Sequence, residues 1–208
     1  MVALSFLLLI GCAKKYQSSD ATQLANAHRI IAIVPPSPNL YSESPENDKR
    51  ESINFQQRLY SWLLSWKAKN QLTVDILRIR ETNDLLEEAG YFAGNDLSPS
   101  QLCDILKVDG ILTSQYSSRN KFSSGESIAI GMVLGAMTGT LPAGPATGKV
   151  GSILELYDGN TGEMIWSYEQ KKSTYVQTRT SSEAMEKIMK SASKNMPYFK
   201  WKYKDFNF

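Results

Sequence analysis

Arg29-Ile30-Ile31-Ala32-Ile33-Val34-Pro35-Pro36 is an unbroken aliphatic, largely β-branched run stopped by two prolines. Continuous rather than alternating apolar residues predict a strand buried on both faces. Such a strand needs layers on either side of its sheet, so the reading points to an α/β domain.

The chain downstream supplies those layers. A loop rich in Ser, Pro, Asn and Glu runs to about Lys49. Ile53, Leu59, Tyr60, Leu63, Leu64 and Trp66 then recur at helical spacing, predicting a helix from about 50 to 69. Thr73 to Ile79 reads as a second strand, and Glu81 to Ala89 as a short helix closed by Gly90. Ser98-Pro99-Ser100-Gln101 carries an N-cap serine, a first-turn proline and a capping-box glutamine, opening a helix to about Lys107. Gly110 to Tyr116 is the third strand, and strand-helix alternation predicts parallel crossovers.

The second half changes character. Val150 to Tyr157 and Met164 to Tyr168 flank the turn Asp158-Gly159-Asn160-Thr161-Gly162, predicting a β-hairpin. Thr180-Ser181-Ser182-Glu183 opens a helix with the apolar stripe Met185, Ile188, Met189, Ala192 and Met196. The expectation is one three-layer-like domain over 29–199, with a mixed sheet of about five strands. Its order is β-α-β-α-α-β-insertion-β-β-α, the Gly-rich insertion covering 118–148.

At the N-terminus, Val2 to Ile10 is an apolar run too short to span a bilayer as a helix, but suited to a signal peptide. It ends in Leu9-Ile10-Gly11-Cys12, which resembles the lipobox of bacterial lipoproteins. That resemblance implies cleavage after residue 11, acylation of Cys12 and permanent anchoring by several acyl chains. No Lys or Arg precedes the apolar run, so the basic start of such a leader is truncated here or the start codon is misassigned. Ala13 gives no inner-membrane retention signal of the aspartate type, which by analogy implies the outer membrane, periplasmic face. Residues 12–28 read as a polar tether, and 200–208 as a basic, aromatic tail.

The Pro-Pro strand end, the long helix, Val108-Asp109-Gly110-Ile111-Leu112 and Leu156-Tyr157-Asp158-Gly159-Asn160-Thr161-Gly162-Glu163-Met164-Ile165-Trp166 together resemble a group of envelope lipoproteins with a domain like the N-terminal domain of TolB. The group includes the curli-secretion channel lipoprotein and lipoprotein activators of penicillin-binding proteins. The resemblance implies an envelope protein partner or self-assembly, no cofactor and no catalytic residues.

Candidate contact residues follow from unabsorbed apolar sequence. Gly131, Gly135 and Gly139 are spaced by four, which on a helix makes a close-packing groove. The same tract alternates Ile128, Ile130, Met132 and Leu134 with smaller residues before Met137, as a membrane strand would. A partner-packing helix, a mobile loop and membrane strands over 126–150 all remain open, the last implying an oligomeric secretion channel. Trp201, Tyr203 and Phe206 of the tail are further contact candidates.

Composition limits the rest. Formal net charge is only +2, which gives no case for nucleic acid. Ala143 to Lys149 is similar to a phosphate-binding loop, but Val150 stands where a magnesium-binding hydroxyl is required, so no nucleotide is expected. Asp158 to Glu163 is superficially similar to a calcium loop and is explained by a tight turn. With Cys12 acylated, Cys103 has no disulfide partner and reads as a buried small hydrophobe. His28 is the single histidine, lies beside the tether, and has no nucleophile near it in sequence. No metal set or catalytic constellation is expected, and the protein reads as a non-enzyme.

Overall fold

The computed structural model describes residues 13–36, 45–120, 148–174 and 181–200. The strands are β1 (Lys14–Gln17), β2 (Ile30–Ile33), β3 (Asp75–Ile76), β4 (Gly110–Asn120), β5 (Gly148–Asp158) and β6 (Met164–Thr174). The helices are α1 (Ala21–Ala27), α2 (Pro45–Ala68), α3 (Ile79–Glu88), α4 (Pro99–Leu106) and α5 (Ser181–Ser193), with a 3₁₀ turn at Tyr91–Ala93. The strands form one six-stranded sheet in the order β1-β6-β5-β4-β2-β3. Only β2–β3 and β2–β4 are parallel; the remaining pairs are antiparallel. The mixed α/β architecture expected from the sequence is therefore the one adopted.

The opening run behaves as its composition requires. Ile31 and Ile33 enter a core beneath α1, α2 and α5, together with Leu59, Leu63, Trp166 and Ile188. Ala32 and Val34 enter a second core beneath α3 and α4, with Leu86, Leu102 and Leu106. Period-two alternation thus sends successive residues of one apolar run into two cores. At the last residue of β2, the buried Gln56 of α2 donates to the Ile33 carbonyl at 2.7 Å. Gln56 also exchanges two amide hydrogen bonds of 3.0 Å with Asn83 of α3, linking the two helical layers.

Several boundaries differ from the expectations. The segment read as a structureless tether folds instead. Lys14–Gln17 adds an edge strand to β6, and α1 buries Ala21 and Ala25 in the core. This supplies the sixth strand. All four residues of β1 are exposed, so backbone pairing and not side-chain burial makes it a strand.

The second strand is curtailed to Asp75–Ile76, because Arg78 turns the chain into α3 at Ile79. At its start, Thr73 donates from both its backbone N–H and its hydroxyl to the Tyr198 carbonyl. The helix expected over 50–69 begins earlier, at Pro45. Strands β4 and β5 continue to Asn120 and from Gly148, so the ends of the expected insertion are sheet. β6 likewise continues through 169–174.

Other readings hold. Ser98 forms the full capping box with Gln101, Gly90 takes φ +73 just past α3, and Cys103 is buried. Ile188, Met189, Ala192 and Met196 are all buried.

Candidate functional site

Cys12, Ile128, Ile130, Gly131, Met132, Leu134, Gly135, Met137, Gly139, Trp201, Tyr203 and Phe206 lie outside the described residues. Two places in the fold carry functional interest: the sheet end bearing Lys14, and a buried cluster at the opposite end.

Lys14 pairs with Glu169 and Gln17 with Trp166, so the N-terminal end of β1 points the same way as the C-terminal end of β6. Across β5 this is also where β4 ends at Asn120 and β5 begins at Gly148. Lys14, Asn120, Gly148 and Thr174 therefore lie toward one end of the sheet. Ala13 packs against the larger core, which fixes the chain one residue after Cys12.

That end is basic. Residues 13–15, 115–120, 148–153 and 169–174 contain six basic residues (Lys14, Lys15, Arg119, Lys149, Lys171 and Lys172) and one acid, Glu169. Lys14 and Lys171 sit at 3.4 and 3.6 Å from opposite oxygens of Glu169, with their side chains 82% and 68% exposed. The other end of the same strands carries Asp20, Asp109, Asp158 and Glu163 beside Arg29 and Lys107. The small net charge conceals a sheet polarised along its strands.

At the acidic end the sole histidine is enclosed. His28 Nδ1 lies 2.5 Å from the Tyr198 hydroxyl and Nε2 lies 2.8 Å from Oδ1 of Asp158. The His28 and Asp158 side chains are 2% and 1% exposed. A neutral imidazole satisfies the set when Nε2–H donates to Asp158 and Nδ1 accepts from Tyr198. The second oxygen of Asp158 accepts from the Thr161 N–H at 2.8 Å and its hydroxyl at 2.9 Å, closing the β5–β6 turn. Burial pushes the Asp158 carboxyl up, but the hydrogen bonds from His28 and Thr161 outweigh it and hold the group below its ordinary value. Burial, reinforced by Asp158 and Asp109, raises the Tyr198 phenol far above its usual value.

Asp109 is built similarly. Its Oδ2 accepts from the Arg29 and Ile30 N–H groups at 2.6 and 2.9 Å, clamping the start of β2. Burial raises that carboxyl, and these two N–H groups more than reverse the effect.

Sequence reasoning missed this cluster, although it identified the Asp158 turn correctly and quoted both His28 and Asp109. No spacing rule joins His28 to residues 130 and 170 positions away. A single histidine directly before a doubly buried strand was the available signal. The cluster lies within the protein, closed to solvent, and its geometry fastens three segments together.

Gly148-Lys149-Val150 begin β5, so a strand follows the phosphate-loop-like sequence where a helix N-terminus would be needed. Among the described residues there is no group of metal-ligating side chains, and no helix is long and apolar enough to cross a membrane.

No protein-family model and no curated protein matches the chain. Among solved structures it is similar to the PelC dodecamer from Paraburkholderia phytofirmans, at 16% identity and TM-score 0.48, covering 91% of this chain and 99% of that one. It is similar also to lipoprotein GNA1162 from Neisseria meningitidis, at 13% identity and TM-score 0.46, covering 79% and 95%. A hypothetical protein, CT253 from Chlamydia trachomatis, matches at 8% identity and TM-score 0.38, covering 82% and 97%. At these identities the likeness is one of chain trace alone.

Proposed function

We propose that this chain is a non-enzymatic envelope lipoprotein, acylated at Cys12. Its α/β domain docks on an envelope protein partner or assembles with copies of itself. The observation that carries the reading is the junction at residues 9–14. Leu9-Ile10-Gly11-Cys12 ends the apolar leader, and Ala13 and Lys14 already belong to the folded body. Cleavage before Cys12 would leave an acyl-bearing residue directly on the sheet, where several chains give lasting attachment. The outer membrane, periplasmic face, is the proposed location.

The absence of catalysis is supported by how the reactive residue types are used. His28 is enclosed as a structural hydrogen-bonding group, and Cys103 is buried with its thiol pushed up to about 12, chiefly by burial. A thiol held neutral at physiological pH is a poor nucleophile.

Cys12→Ser tests the anchor. The wild-type chain is expected in the membrane fraction and the variant in the soluble periplasm; an unchanged membrane fraction would overturn the reading. Vesicle leakage separates a docking protein from a channel subunit. A chain that releases trapped dye only in oligomeric form would favour membrane strands over 126–150. Crosslinking in native envelopes followed by co-purification identifies the partner.

A further inference from the structure

We draw no further inference here: the strongest candidate, the groove between α2 and α5 lined by Asn54, Arg58, Trp62, Glu186 and Met189, has exposed polar walls carrying both charges that select no one class of ligand, and nothing in the structure shows what covers it.

Discussion

The imidazole of His28 is held 2.8 Å from Asp158, across 130 residues of sequence and with both side chains almost wholly buried. Tyr198 closes the other side of the ring at 2.5 Å. The contacts tie the start of β2 to the β5–β6 turn and to the chain after α5. These are segments that no local hydrogen bond would bring together.

His28→Ala leaves a buried carboxylate and a buried hydroxyl each short of a partner. Leaving a buried hydrogen-bonding group without its partner costs about 1–3 kcal/mol, and more for a carboxylate, so the loss should reach about 3 kcal/mol. Urea unfolding should show a midpoint shifted down with little change in slope. A midpoint equal to wild type would show the cluster to be dispensable.

Gly110 has no room for a side chain. A Cβ there would lie 2.8 Å from the Tyr157 carbonyl oxygen and 2.9 Å from the His28 ring. Gly110→Ala should destabilise by about 2 kcal/mol, as overpacking does, and displace the imidazole. Thermal unfolding would register this as a fall of several degrees, and an unchanged midpoint would contradict the packing described.

Acid should weaken the fold through Asp109 and Asp158. Both carboxyls are held below their ordinary 3.8, burial notwithstanding, by hydrogen bonds from backbone N–H groups and, at Asp158, from His28 and Thr161. As pH falls, the unfolded chain binds protons before the folded one, so stability declines. The contribution is complete above about pH 4 and is lost as pH drops through the lowered folded values. Asp109→Asn should be less stable at neutral pH and show a flatter acid limb. An acid limb as steep as wild type would remove Asp109 from the account.

Cys103 should resist alkylation in the native state. Its thiol is pushed up to about 12 by burial first and by Asp158, Asp104 and Asp109 after it, and it packs where Gly159 passes. In the Cys12→Ser chain it is the only thiol. Iodoacetamide labelling should proceed only as fast as the protein unfolds, and rapid labelling in native buffer would contradict its burial.

What could be read from sequence was what local chemistry determines. Ser98 and Gln101 satisfy each other's backbone groups within three residues, so that helix start is written in its own four residues. The run from Ile30 to Val34 fills two cores, and its composition says so. β1 left no such trace, because Lys14–Gln17 contributes backbone hydrogen bonds and no buried side chain. Thr73 to Ile79 carried a strand's composition, yet only Asp75–Ile76 pairs, since the chain must turn at Arg78 to start α3. The basic sheet end was invisible for a similar reason. Lys14, Arg119, Lys149 and Lys171 come from four strands, and only the register brings them to one end.

Everything proposed about location begins at Cys12, and the mass of the mature chain purified from membranes tests it directly. The account predicts a protein beginning at Cys12, with residues 1–11 removed and the N-terminal peptide heavier by its acyl groups. A chain retaining Met1, or a Cys12 peptide with a free thiol and no lipid, would contradict it.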